Sequence, residues 1–259
     1  MIITTKPYKG VTVKFDKVNH KFTVFDKKSP DGRKVESVTG ATGKLDKSGA
    51  LVGWAVKLFR EFLYEKLRDG MKITEDLVFE GSRQHTIRKD KGADIGTAIH
   101  ELIELYIKGK KPATPEDEKI KNGFLAFLKW QNENKVRFLK SEEIVYSRKY
   151  DFAGIMDIEA KVNGKLAIVD IKTSSGLYNE MRYQTAGYQC AKEEMTGKKY
   201  DERWIIRLAK EDKLDYKGNV IENAGDFFAY RIDDYKKDLP AFLGLLAAKR
   251  REKELESTK

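Results

Sequence analysis

The stretch from Ala153 to Lys172, AGIMDIEAKVNGKLAIVDIK, holds two runs of alternating polar and apolar residues that meet at Asn163-Gly164. That dipeptide accepts the positive φ required at both central positions of a type I′ turn, so the stretch reads as a β-hairpin with a two-residue loop. The turn sets a register. With Val162 opposite Lys165, every facing pair has the same number sum, and Asp157 lies opposite Asp170 on one face. The other face carries Met156, Ile158, Ala160 and Val162 against Ala167, Val169 and Ile171, a continuous apolar surface suited to a core. The polar face gathers Asp157, Asp170 and Lys172 at one end.

Two carboxylates so opposed have Cβ atoms about 5 Å apart and repel by roughly 3 kcal/mol at an effective dielectric of about 20. A favourable cross-strand pair contributes only about 0.2–1 kcal/mol, so the opposition calls for a compensating charge. A divalent cation between the two oxygens would supply it, with Lys172 beside the ion on the same face. A solvated edge hairpin, whose Asp–Lys pairs carry little energy, is the competing reading. Geometry alone leaves both open.

The chain has 259 residues, enough for one large domain or two small ones, and its 40% hydrophobic content with 13 Phe and 12 Tyr can fill a core. Lys and Arg exceed Asp and Glu by ten, and a pI near 9.3 points to a polyanionic partner, nucleic acid ahead of anionic membrane. The single cysteine, Cys190, excludes an intramolecular disulfide, a CxxC zinc site and a four-cysteine iron–sulfur cluster. It fits a reducing compartment. No apolar run approaches the length of a membrane span, and the first residues, MIITTKPYKGVTVKF, lack the apolar core of a secretory signal and the Arg/Ser-rich pattern of an organellar presequence. The cytoplasm is the expected location.

The first pattern is a hairpin: Val11, Val13 and Phe15 alternate with polar residues, a turn falls near Val18-Asn19-His20, and Phe22 to Phe25 returns, with Ser29-Pro30-Asp31-Gly32 breaking it. Beyond Ser37-Val38-Thr39 and a Gly/Ser-rich loop, a helix is expected from about Ala50 to Arg68, with Leu51, Trp54, Ala55, Leu58, Phe62 and Leu63 as a core stripe. Gly81 to Gly92, GSRQHTIRKDKG, reads as a loop or frayed helix start whose Arg83, Arg88, Lys89 and Lys91 suit phosphates if it borders a cleft.

A helix from about Asp94, its candidate N-cap, to Ile107 has Ile95, Ile99, Leu102, Ile103 and Tyr106 at helical spacing. Taken alone, His100 at the border of that stripe is an ordinary core or boundary histidine. A second amphipathic helix covers Glu116 to about Phe138. A strand over Glu142 to Arg148 feeds the hairpin. A helix over Asn179 to Met195 follows, with Gln184 and Tyr188 four apart on one face. Strands at Trp204–Leu208 and Phe227–Ile232 and a closing helix from Asp233 to about Leu255 complete the pattern, without internal repeats or a long linker.

Glutamate, aspartate, Asp-x-Lys and Gln-x-x-x-Tyr thus arrive in that order on strand, hairpin and helix, after a histidine helix. Joined in this order, the motifs resemble the PD-(D/E)xK nuclease superfamily, and within it the RecB-like branch that includes phage exonucleases and the mitochondrial genome-maintenance exonuclease. Gly96-Thr97-Ala98-Ile99-His100 corresponds to GTxxH, Gly154-Ile155-Met156-Asp157 to GxxD, Asp170-Ile171-Lys172 to DxK, and Gln184 with Tyr188 to QxxxY. Ser37-Val38-Thr39 and the helix of Trp54 also resemble the N-terminal part of those exonucleases, so the likeness runs from about Glu36 to Leu208. The cysteines that hold an iron–sulfur cluster in several relatives are absent. Gly40 to Lys44 is too short for a Walker A loop, which excludes a helicase motor from this stretch.

The resemblance implies an α/β fold with a restriction-endonuclease-like core, a mixed central sheet with helices on both faces, plus an N-terminal hairpin and helix. The expected divisions are an N-terminal subdomain over residues 1–90, a nuclease core over 91–233 and a C-terminal helix and tail over 234–259. His100, Asp157, Asp170 and the main-chain carbonyl of Ile171 would bind Mg²⁺ or Mn²⁺, and the nitrogen ligand favours manganese more than an all-oxygen site would. Lys172 would orient or deprotonate the attacking water and steady charge on the phosphate. Glu142 would hold a water of the ion's shell or a second ion, its neighbour Glu143 pointing to the other face of the strand. Gln184 and Tyr188 would contact the nucleic-acid backbone or the shell of the site.

The function so implied is a divalent-metal-dependent DNA nuclease, an exonuclease on single-stranded or resected ends. Its setting would be recombination, repair or phage DNA metabolism, in a bacterial or phage-infected cell alongside recombination or replication proteins. A structure-specific endonuclease is the alternative among enzymes, and a non-catalytic DNA-binding module the alternative outside them.

Overall fold

Four strands begin the chain where the pattern predicts two. In this computed structural model, which describes residues 1–215 and 217–258, β1 (Ile2–Tyr8), β2 (Val11–Asp16), β3 (Lys21–Asp26) and β4 (Ser29–Ser37) form an antiparallel meander. The expected break at Ser29-Pro30-Asp31-Gly32 is a correction: these residues open β4. The register shifts between Val24 and Asp26 of its partner strand, and Gly32 takes φ 87°, so an irregularity absorbs a proline that has no N–H for the ladder. Val11, Val13, Phe15, Phe22 and Val24 are buried on one face, as their alternation requires.

Ser37 then caps the short α1 (Val38–Thr42), its hydroxyl accepting from the Gly40 N–H at 2.9 Å. There follow α2 (Ser48–Arg68), α3 (Glu75–Ser82), α4 (Gln84–Ile107), α5 (Glu118–Glu133), β5 (Arg137–Ser147), β6 (Phe152–Val162), β7 (Lys165–Lys172) and α6 (Asn179–Thr196). The chain ends with β8 (Glu202–Leu208), the small hairpin β9 (Lys213–Leu214) and β10 (Val220–Glu222), β11 (Phe227–Arg231) and α7 (Tyr235–Ser257). No helix among the described residues is long and apolar enough to cross a membrane.

Two compact units emerge, Asp46–Ile99 and the remainder of the chain. In the Asp46–Ile99 unit, Gly81 of α3 lets the rings of Phe59 and Phe62 approach, since a Cβ there would lie 2.9 Å from Phe59. The expected core stripe of α2 is only partly realised: Leu58 is buried, but Leu51 is 53% and Trp54 36% exposed. Packing against α3 engages the helix around Phe59 and Phe62 and leaves Leu51 and Trp54 exposed. Of the two readings of Gly81 to Gly92, loop or frayed helix start, the helical one is realised and more fully than expected: the segment is interrupted only at Arg83, and α4 runs unbroken past Asp94. With no proline in the segment, its Gln, Arg and Lys favour a solvated helix, so Asp94 caps nothing.

In the larger unit a mixed sheet is flanked by helices, the layout of a restriction-endonuclease-like core. Strand order is β1-β2-β3-β4-β6-β7-β8-β11, with β5 also paired to β6. The β4–β6 and β7–β8 pairs are parallel and the rest antiparallel. Helix α6 lies on β5 to β8, with α1 and α7 against it, while α5 packs on β8 and β11. One core gathers Val145, Phe152, Met156 and Ile168 with Tyr188 and Ala191 of α6 and Phe242 of α7; the Phe152 and Phe242 rings meet edge-on at 4.9 Å. A second closes the buried face of the meander over Ile144, Tyr146 and Ala153.

The Asn163-Gly164 turn takes φ 49° and 86°, and pairs from Ile158↔Val169 to Val162↔Lys165 keep the expected register. The hairpin is interior to the sheet, with β8 paired to β7 and β5 to β6. Both edges are therefore paired, and Ala160, Ala167, Ile168 and Val169 are fully buried, which overturns the solvated-edge reading.

Candidate active site

Strand β6 is paired to β5 along almost its whole length, so its other edge is shared by β4, at Phe152 and Ala153, and β7, from Ile158 onward. Asp157 sits in the gap between those two partners. Its backbone is off the β7 ladder, but its Oδ2 accepts the Ile171 N–H at 2.7 Å, which ties its side chain to β7 one residue beyond Asp170. The divergence of strands opens the sheet where the acidic groups stand.

Across β5, the pairs Ser141↔Ile158 and Glu143↔Met156 share one register, which brings Glu142 level with Asp157. Glu142 has φ 49° in the middle of a strand. A left-handed residue there costs on the order of 1–3 kcal/mol and persists only where its surroundings impose it. Its carboxylate lies 3.6 Å from Nδ1 of His100, which is 3.9 Å from Oδ2 of Asp157. One ligand atom from each of His100, Glu142 and Asp157 can lie within 4.8 Å of the other two. Ile103, one turn beyond His100, is buried, and Tyr106 meets Phe124 and Phe127 edge-on at 5.8 and 6.2 Å, which anchors the end of α4 on α5.

Asp170 is fully buried; the Lys172 ammonium lies against its Oδ2 as an ion pair, and its Oδ1 has no hydrogen-bond partner among the described residues. Burial raises its pKa to about 6, opposed by Lys172 and assisted by the charge of Asp157. Burial likewise raises Asp157, against the pull of His100 and Lys172. For His100 burial opposes the charge, but Asp157 and Glu142 outweigh it and the imidazole is more basic than usual. Lys172 is held protonated in the same way, Asp170 and Asp157 overcoming its burial. A buried carboxylate with one unpartnered oxygen, beside two more carboxylates and an imidazole, is a donor set that fits a hard divalent cation with one nitrogen ligand.

Gln184 and Tyr188 are both buried, and the Gln184 Nε2 donates to the Tyr188 hydroxyl at 2.8 Å. The phenol is far less acidic than usual because it is buried and feels Asp170, Asp157 and Glu142. Gly154 explains its place in this wall: a Cβ there would stand 2.7 Å from the Tyr188 ring and 2.9 Å from Val38.

His100, Glu142, Asp157, Asp170, Lys172 and Tyr188 thus converge, with Ile171 contributing its N–H to Asp157. Arg83, Arg88, Lys89 and Lys91 belong to the Asp46–Ile99 unit and are exposed there. Arg83 lies over the Phe79 ring at 5.8 Å, and Arg88 lines a cavity with Glu61, Tyr64, Glu65, Leu67 and Arg68. Beside the site lies a group that motif reading passes over. The Lys192 ammonium pairs with Glu143 and, at 3.2 Å, with Glu159, which accepts from the Tyr200 hydroxyl at 2.9 Å. Its signal in sequence is spacing alone, since Lys192 continues the stripe of Gln184 and Tyr188 by one more step of four.

No family model and no curated protein matches the chain. Among solved structures it is similar to the complex of LHK-Exo with dAMP, at 15% identity over 62% of this chain and 80% of that one, with a TM-score of 0.35. It is also similar to the alkaline exonuclease LHK-Exo from Laribacter hongkongensis, at 13% identity over 74% of this chain and 91% of that one, with a TM-score of 0.31.

Proposed function

We propose that this chain is a divalent-metal-dependent DNA nuclease, an exonuclease acting on single-stranded or resected ends in recombination, repair or phage DNA metabolism. The observation that carries the reading is Asp170, a fully buried carboxylate whose Oδ1 has no hydrogen-bond partner among the described residues and whose Oδ2 meets only Lys172, beside a cluster of His100, Glu142 and Asp157. Those four side chains, with the carbonyl of Ile171, would hold Mg²⁺ or Mn²⁺. The cation would supply Lewis-acid stabilisation of charge on a phosphate. Lys172, kept protonated by Asp170 and Asp157, would orient a water and offset negative charge as it builds. The net charge of +10 favours a polyanionic substrate. Gln184 and Tyr188 form the wall beside the carboxylates, and the exposed cations of Arg83, Arg88, Lys89 and Lys91 are assigned to the DNA backbone.

The test uses 5′- and 3′-labelled strands, single and double, linear and circular, with and without Mn²⁺. Metal-dependent loss of linear substrate with circular single strands intact is expected, and no cleavage by an Asp170→Ala variant. Degradation by that variant would show that the site is misassigned. Cleavage of the circles would replace the exonuclease by an endonuclease.

A further inference from the structure

We propose that Lys192 is a positioning residue for the carboxylate cluster: by clamping Glu143 of β5 to Glu159 of β6 it holds Glu142 in its left-handed conformation, with its carboxylate toward His100 and Asp157. The inference rests on the cation-binding reading above. Three observations carry it. Lys192 is 3% exposed, yet its ammonium meets two carboxylates on different strands. Each of those strands bears a cluster residue close by: Glu142 is the immediate neighbour of Glu143, and Asp157 stands two before Glu159. Glu142 itself has φ 49° while the pairs on either side of it keep their register, so no inserted residue accounts for the distortion.

The physical sequence is direct. A strained mid-strand residue relaxes toward extended backbone unless its flanks are held, and in extended backbone successive side chains alternate between faces. Relaxation at Glu142 would therefore re-aim its carboxylate. Interior lysines are rare unless paired, and Glu143 and Glu159 pair this one, Glu159 also accepting from the Tyr200 hydroxyl. A residue held this way orders two strands without touching the cation or a substrate. The role resembles that of outer-shell groups in metal sites, whose loss weakens metal binding by roughly ten- to a hundredfold.

The experiment is a Mn²⁺ titration of the full chain followed by electron paramagnetic resonance, on wild type, Lys192→Met, Lys192→Arg and Glu143→Gln. Lys192→Met should bind Mn²⁺ about tenfold or more weakly, and Lys192→Arg should stay within about threefold of wild type. Excess Mn²⁺ should restore kcat to Lys192→Met with KM for DNA unchanged, a split that general loss of folded protein would not produce. Glu143→Gln leaves Lys192 paired with Glu159 and so keeps the fold; it should weaken Mn²⁺ binding in the same direction, and it decides the matter alone if Lys192→Met does not fold. Binding within twofold of wild type in Glu143→Gln and in any folded Lys192→Met overturns the proposal and leaves the cation site standing. A wild-type chain that takes up no Mn²⁺ overturns the cation site, and this inference with it.

Discussion

The Ile171 N–H donates to Oδ2 of Asp157 at 2.7 Å, so one strand of the central hairpin holds the carboxylate of the other with its own main chain. An asparagine at 157 can preserve that bond through its amide oxygen while removing the charge. Asp157→Asn is expected to keep the fold, with a Tm in EDTA no lower than wild type, and to lose about a thousandfold or more in cleavage rate. Mn²⁺ should no longer raise its Tm. Thermal melts with and without metal, beside a linear single-strand digestion, measure all three.

The pH dependence follows from Asp170. Its folded pKa of about 6 stands above the usual 3.8, with burial the largest cause. The neutral carboxyl thus favours the folded state: that stabilisation is complete below about pH 4 and is lost as pH rises through 6, a swing of about 3 kcal/mol. Cation binding needs the ionised form and runs the other way. In EDTA the Tm should fall between pH 5 and 7, while the Tm gain from Mn²⁺ grows over the same interval. Asp170→Asn should flatten both trends, which separates this group from the surface carboxylates.

Lys172 is tied to Asp170 and also feels Asp157. Replacing it by methionine removes a positive charge from beside the carboxylates, so Mn²⁺ affinity should hold or tighten. The rate should nevertheless drop by about 10²–10⁴ with KM for DNA little changed, as expected for a group that acts on the water or the developing charge. Calorimetric Mn²⁺ titration and single-turnover cleavage read the two effects separately. Weakened metal binding together with a raised KM would instead place Lys172 in structure.

A methyl group at Gly154 has no room between the Tyr188 ring and Val38. Gly154→Ala should cost about 1–3 kcal/mol in urea unfolding through overpacking. It should also lower activity by displacing Tyr188 from beside the acidic cluster. An alanine variant as stable and as active as wild type would contradict the packing described for this wall.

Much of the frame was legible before any coordinates. Turn chemistry at Asn163-Gly164 and strict alternation specified the hairpin and its register, because both depend on residues near in sequence and on backbone φ. The stripe of the Gln184–Tyr188 helix was legible for the same reason. By contrast, polar composition left Gly81 to Gly92 open between a loop and a frayed helix start, since charge says where a helix is solvated but does not stop it from forming. The α2 stripe misled in the opposite sense: helical spacing marks which residues share a face, and Leu51 and Trp54 share one that nothing in their own unit covers.

The sequence by itself determined that two aspartates and a lysine would stand at one end of a hairpin; the facing pair it implied is not formed, since the ladder stops at Ile158 and Val169. Tertiary structure alone decided that Asp170 would be fully buried with one oxygen unpartnered, that Glu142 would adopt a left-handed backbone, and that Lys192 would bind Glu143 and Glu159 beside the cluster. Local steric rules act over a few residues, whereas burial and ion pairing join elements far apart in the chain, and only their packing brings a histidine at 100 and a lysine at 192 to the same hairpin.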